Sequence, residues 1–221
     1  MSRAPAALLI LALAGAPAGA SAQPTAACHC FKDRTFDPIR PAAADPYILA
    51  TTRSSILSAA FGVPKRELVQ EVMTGTDPDD LWVAYWAGAR TGTDAGKLLE
   101  ERGRKGSWKA VLSGARAEKL GPAFAKALEG GAPTATLAAL AVDDVLVQRL
   151  RADPAAVAEL RAAGAGSPET ALAVVIAPRA GMRPVEVLAR SRDGRTTWGM
   201  LLDRAGMAPK GIDAVVREMA R

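Results

Sequence analysis

Histidine is almost absent from this chain, because His29 is the only one among 221 residues. A Ser-His-Asp or Cys-His catalytic centre would have to use this one residue near the N-terminus. The motifs G-x-S-x-G, S-x-x-K and H-E-x-x-H are also missing from the sequence. The absences argue against the common hydrolytic and metal-dependent enzyme classes.

Cysteine is scarce too, and the two cysteines, Cys28 and Cys30, flank His29. Thiolates and imidazole bind copper or zinc, but no other His or Cys could complete a site. Exported cysteines are usually oxidised, so a disulfide between two chains, or a strained one between these two residues, is an alternative. Thiol redox chemistry and a simple surface tether also stay open. We expect no cofactor, with Cu or Zn at this cluster as the exception considered.

Long apolar runs are lacking, and the stretch 6–14 has roughly half of the 20 or so residues that a membrane helix needs. This stretch follows Arg3 and precedes small residues, which is the pattern of a secretory signal. We therefore expect a signal peptide over 1–22, cleaved between Ala22 and Gln23. A lipid anchor on Cys28 is the alternative, although the usual Leu is missing before it.

Charge is only mildly unbalanced, with 28 basic and 23 acidic residues and a net charge of +5. Removal of Arg3 with the signal peptide lowers the net charge to +4, which permits contact with an anionic cell-wall polymer without requiring it. We expect a periplasmic or extracellular protein whose partner is such a polymer or another envelope protein. We expect neither a DNA partner nor a transmembrane segment in the mature chain, and the oligomeric state stays open.

Aromatic residues make up only 5% of the chain, and from about Asp45 onward Ala, Leu, Arg and Glu dominate. This composition favours helices, and Gly, Pro, Asp, Ser or Thr interrupts the apolar pattern at short intervals. The sequence therefore predicts an all-α fold that is bundle-like or repeat-like. The stretch 173–177 (AVVIA) has the composition of a strand, but its counterpart in the repeat described next follows Pro-Asp-Asp, so we predict a helix.

An internal repeat appears at an offset of 90 residues, which aligns Pro64 with Pro154 and Trp108 with Trp198. We predict a tandem duplication of 47–130 as 137–220. The expected organisation is a signal peptide 1–22, an extended arm 23–45, and two helical units over 46–131 and 132–221. The first unit is predicted to hold helices near 46–61, 64–74, 78–89, 94–103, 107–115 and 119–129, and the second repeats them 90 residues later.

The two aligned tryptophans each begin an apolar stripe with helical spacing. Trp108 is followed by Val111, Leu112 and Ala115, and Trp198 by Leu201, Leu202 and Ala205. Ser107 and Thr197 precede the tryptophans at positions suited to helix N-caps. We therefore predict structural, buried roles for Trp108 and Trp198.

A basic patch precedes each tryptophan, and its cations could bind anionic glycans, lipid phosphates or nucleic acid. The alternative is that these side chains complement the C-terminal ends of helices. The candidate residues are Arg102, Arg104, Lys105, Arg190, Arg192 and Arg195. The acidic pairs 79–80, 100–101 and 143–144 could supply a catalytic acid, but adjacent helical residues do not face each other.

The Cys-His-Cys start, FDP at 36–38 and ADPYILATT at 44–52, together with the tryptophan helices, resemble secreted bacterial all-α proteins of unknown activity. The resemblance covers mainly 28–64 and implies no activity and no catalytic residue. The most consistent interpretation is a secreted envelope protein that acts as a binding or scaffolding module. Two alternatives stay open: a small cell-wall glycan-acting enzyme using Glu or Asp, and a metal-handling protein using Cys28, His29 and Cys30.

Overall fold

The computed structural model describes residues 31–221, so the expected signal peptide and the Cys28-His29-Cys30 cluster lie outside the described residues. Within 31–221 the chain is all-helical and has no strand, which confirms that the fold is all-α, as predicted. The α-helices are α1 (Asp45–Phe61), α2 (Lys65–Met73), α3 (Pro78–Thr91), α4 (Ala95–Lys105), α5 (Trp108–Leu112), α6 (Pro122–Glu129), α7 (Thr134–Gln148), α8 (Pro154–Ala162), α9 (Ser167–Ala180), α10 (Pro184–Ser191), α11 (Trp198–Arg204) and α12 (Ile212–Met219). Short 3-10 helices cover Gly114–Lys119 and Pro209–Gly211.

Helix α3 shows how local sequence fixes these boundaries. The carboxylate of Asp77 accepts a hydrogen bond from the backbone N–H of Asp79 at 2.7 Å, which caps the first turn. Pro78 occupies the first turn, where a missing N–H has no cost. The helix ends at Gly92, whose φ of 71° is the left-handed conformation that glycine adopts without strain. The segment 173–177 lies inside α9 and is helical, as predicted.

Several helix ends differ from the sequence prediction, and two of these differences lie next to left-handed residues. The helix predicted over 107–115 ends at Leu112, because Ser113 is extended and Gly114 has a φ of 67°. The chain continues as the 3-10 helix, so Ala115 is not part of α5. Helix α7 ends at Gln148 rather than near 151, and the left-handed residue that follows it is Arg151, with a φ of 56°.

Six α-helices, α1 to α6, lie in 45–129 and six more, α7 to α12, lie in 134–219. Helices α6 and α12 are 90 residues apart at both ends, whereas α4 and α10 differ in length. The packing is reciprocal, because α7 packs against α3 and α6 while α1 packs against α9 and α12. One continuous core joins the two halves, and its fully buried side chains include Trp82, Leu98, Leu146 and Leu172.

The segment 31–44 lies against α11. A Cβ atom on Gly199 would come within 2.8 Å of the Phe36 ring and 2.9 Å of the Pro41 carbonyl oxygen, so only glycine permits this close approach. The Asp45 carboxylate accepts hydrogen bonds from the backbone N–H groups of Trp198 and Gly199, at 3.1 and 2.8 Å. Burial raises the pKa of Asp45, and these two bonds offset only part of that effect. Among the helices of 31–221, none combines the length and apolarity needed to cross a bilayer.

Candidate ligand-binding clefts

The second half of the chain contains an apolar cleft of about 430 Å³ between α8, α9, α10 and the end of α12, here called the aliphatic cleft. Its apolar lining includes Val174, Ala177, Pro178, Met182 and Met219. Pro178 lies within α9 and has no N–H, so the carbonyl of Val174 lacks its usual helical donor there. The last turns of α9 therefore lack one backbone hydrogen bond, and the ring of Pro178 lines the cleft there.

The mouth of the aliphatic cleft carries charges of both signs. Asp153 caps α8 by accepting a hydrogen bond from the backbone N–H of Ala155 at 3.0 Å. Arg183 lies 3.6 Å from Glu159 and 3.1 Å from Glu186, so its charge is shared between two carboxylates. The remaining cation of the cleft is Arg151.

The first half contains a cleft of about 410 Å³, here called the aromatic cleft. Phe61 and Tyr85 line it, with ring centroids 6.2 Å apart and planes inclined by 26°. Burial raises the pKa of Tyr85, and the nearby carboxylates of Glu71 and Glu67 add to that effect. Arg149 contributes a cation to this cleft and to an adjoining cavity of about 400 Å³ beside Trp86.

The linings of the two clefts overlap in part when the chain is aligned at an offset of 90 residues. Each lies where the first helix of its half ends, beside the end of the third helix and the loop before the fourth. The lining residues related by 90 positions are Ala60 and Leu150, Phe61 and Arg151, Val63 and Asp153, Gly88 and Pro178, Thr93 and Arg183, and Asp94 and Pro184. At these aligned positions the two clefts differ in chemistry.

No family model, no curated protein and no solved structure matches this chain.

The predicted basic patches divide into paired and unpaired cations. In the first patch, Arg102 lies 3.4 Å from Asp80 and Lys105 lies 2.9 Å from Glu101. In the second, Arg192 binds Glu169 at 2.7 Å. Within residues 31–221, the side chains of the other three candidates, Arg104, Arg190 and Arg195, make no ion pair, and all three are exposed. Neither patch lines either cleft.

The two aligned tryptophans are buried, with 3% of Trp108 and 6% of Trp198 exposed. Ser107 and Thr197 cap their helices as predicted. Each side-chain hydroxyl accepts a hydrogen bond from the backbone N–H three residues later in the chain. The indole N–H of Trp108 also donates to Asp80 at 2.6 Å. No described residue accepts a hydrogen bond from the indole of Trp198.

The acidic pairs are mostly engaged in ion pairs. Asp79 lies 3.8 Å from Arg53, and Asp143 binds Arg161 at 2.7 Å. Asp144 accepts from both Arg90 and the indole of Trp86. Across 31–221, no three side chains of the types that ligate metals are clustered.

Sequence reasoning did not single out the cleft residues. The signal that could have found them is a break in the repeat: Phe61 aligns with Arg151, an aromatic ring with a cation, at a helix end. The alignment alone does not show that this position lines a cavity in both halves, because the cavity depends on where α3 and α9 end.

Proposed function

We propose that this chain is an exported binding module, built from two tandem helical units that each present one ligand cleft. The carrying observation is the pair of clefts at matching positions, one lined by aromatic rings and the other by aliphatic side chains. Their volumes fall within the range of about 300–1,000 Å³ that is usual for small-molecule sites. Duplication followed by exchange of lining residues accounts for both the shared position and the different chemistry.

The binding function is tested by mapping where small organic molecules bind. A panel of aromatic and aliphatic fragments, each added to isotopically labelled protein, should shift amide signals around Phe61 and Tyr85 or around Val174 and Met182. Aromatic fragments should prefer the first cleft and aliphatic fragments the second. Shifts spread over the surface, with neither cleft favoured, would contradict the proposal.

The tandem duplication is supported by the reciprocal packing of α6 on α7 and α12 on α1. It predicts that the chain can be circularly permuted as 132–221, a two-residue linker, then 45–131. This linker gives the α12–α1 connection the same length as the four-residue connection 130–133 between α6 and α7. The permutant should unfold cooperatively near the melting temperature of an unpermuted control, 45–221, which also lacks the arm. A permutant without a cooperative transition would refute the duplication.

The export part of the proposal rests on the signal-like residues 1–22. Mass spectrometry of the protein from the periplasm or medium should find Gln23, or its cyclised form, at the N-terminus. A mature chain that retains Met1 would contradict export. The same spectra, recorded with and without reduction, would report whether Cys28 and Cys30 form a disulfide.

A further inference from the structure

Arg151 has a left-handed backbone conformation, which is strained for any residue that carries a Cβ atom. Its φ of 56° makes it the only residue other than glycine with a positive φ in 31–221. In the first half, the left-handed residue after α1 is Gly62, with a φ of 69°. Glycine would relieve the strain at 151 as well, and strain of this kind persists mainly where a side chain has a role.

Most of the hydrogen-bond donors of Arg151 are also available. In the part of the chain that the structure describes, its guanidinium donates to a main-chain oxygen of Arg221, the last residue of the given sequence, at 3.1 Å, and forms no ion pair with an Asp or Glu side chain. A guanidinium has five N–H donors, so one such bond leaves most of them free. The acidic residues of the mouth are committed elsewhere, since Asp153 caps a helix and Glu159 faces Arg183.

The floor below Arg151 is aliphatic and adaptable. Met182 and Met219 contribute flexible thioether side chains, and Val174, Ala177 and Pro178 complete an apolar surface. A ligand that satisfies the whole cleft needs an extended apolar tail and an anionic head.

We propose that the aliphatic cleft binds a single-chain amphiphile, whose alkyl tail lies on the apolar floor and whose carboxylate or phosphate head binds Arg151. This inference rests on the proposed binding function and names the ligand class of one cleft. The aromatic cleft has Phe61 at the matching position and therefore lacks this anchor for the head.

The test is isothermal titration calorimetry of the mature chain with decanoate and with decyl phosphate, both below their micelle concentrations. Decyltrimethylammonium has the same tail with a cationic head, and acetate has the head without the tail. Vesicles of phosphatidylglycerol separate binding of a free amphiphile from binding to a membrane surface. We expect both decyl anions to bind, with the tighter one identifying the preferred head, and acetate and the cation to bind much more weakly.

Three substitutions locate the site. Arg151→Gln should weaken decanoate binding about tenfold or more, because a charge-assisted hydrogen bond is lost. Arg149→Gln, two residues away and lining the other cleft, is the matched control and should leave the affinity unchanged. Ala156→Phe should fill the cleft and abolish binding. Arg151→Gly should raise the melting temperature while weakening decanoate binding.

The inference is overturned if decanoate fails to bind, if the cation binds as tightly, or if Arg149→Gln weakens binding as much as Arg151→Gln. Binding to vesicles without binding to monomeric decanoate also overturns it. If the cation or neutral decanol occupies the cleft instead, the ligand class is wrong but the binding function stands. If no probe enters either cleft, both proposals fall.

Discussion

Replacement of Trp108 offers a sharp test of how the helices are held together. The ring is 97% buried at the start of α5, and its indole N–H donates to Asp80 at 2.6 Å. Truncating a buried tryptophan to alanine typically costs about 3–5 kcal/mol, out of the roughly 5–15 kcal/mol that stabilise a domain. Trp108→Ala should therefore lower the melting temperature sharply, and it should also lower the urea midpoint, by the loss of unfolding free energy divided by the m-value.

Comparing Trp108→Phe with Trp198→Phe separates the contribution of ring packing to stability from that of the indole hydrogen bond. Trp108→Phe keeps most of the apolar contact but leaves the half-buried Asp80 carboxylate without the indole donor. Trp198→Phe makes the same change where the indole donates to no described residue. The first variant should therefore lose about 1.5–3 kcal/mol more than the second, the usual contribution of a hydrogen bond to a charged group. Equal losses would refute the role given to the Trp108–Asp80 bond.

A control addresses the basic patch beside Trp108. Arg104→Gln and Lys105→Gln remove exposed cations, of which only Lys105 makes an ion pair, and should shift the urea midpoint far less than Trp108→Ala does. The opposite pattern, in which Trp108→Ala stays stable but loses binding to an anionic glycan or lipid, would make the tryptophan and its basic neighbours a ligand surface. The predicted structural role of Trp108 would then be wrong.

Two further perturbations follow from the contacts. Hydrogen bonds from Arg116 and Lys105 lower the pKa of Glu101 from 4.5 to about 2, so the stability this carboxylate contributes is present above pH 4.5 and is lost as the pH falls through about 2. A carbon-detected NMR titration should give that low midpoint and show it rising in Arg116→Gln; an ordinary midpoint in the wild type would contradict the contacts. Gly199→Ala should displace the arm 31–44 and speed its proteolysis, whereas Gly103→Ala, where a Cβ meets nothing within 4 Å, should not. Equal cleavage rates would refute the docking of the arm on α11.

The helices could be predicted from sequence because each depends on nearby residues. Ser107 and Thr197 had to be caps, since each precedes an apolar stripe and offers a hydroxyl to an otherwise unpaired N–H. The ends of α5 and α7 could not be placed, because they depend on left-handed conformations at Gly114 and Arg151. For Gly114 the residue type gave a hint, whereas for Arg151 local propensity argues against the observed conformation.

The clefts were beyond sequence reasoning for a different reason. A cavity is the space left between elements, so it depends on the relative placement of helices that are distant in sequence. Trp86 illustrates the difficulty: its apolar character predicts burial, but its hydrogen bond to Asp144 joins residues 58 positions apart. No local pattern indicates that pairing.

The contact between α12 and α1 contains a network of polar side chains. Where α12 meets α1, the ammonium of Lys65 binds Asp213 at 2.6 Å and Ser55 at 3.0 Å, and Ser55 also donates to Asp213. The residues 90 positions away from this network are Ala155, Ala123 and Val145.

Helix α6, which packs on α7, buries the apolar side chains Phe124 and Leu128, and Phe124 contacts Trp86 of α3 with ring centroids 4.5 Å apart. Exchange of α6 and α12 would separate Lys65 from Asp213, since the aligned residues are Ala155 and Ala123, and both charges would lose this partner. The pairing of Lys65 with Asp213 therefore favours the arrangement in which α12, rather than α6, packs against α1.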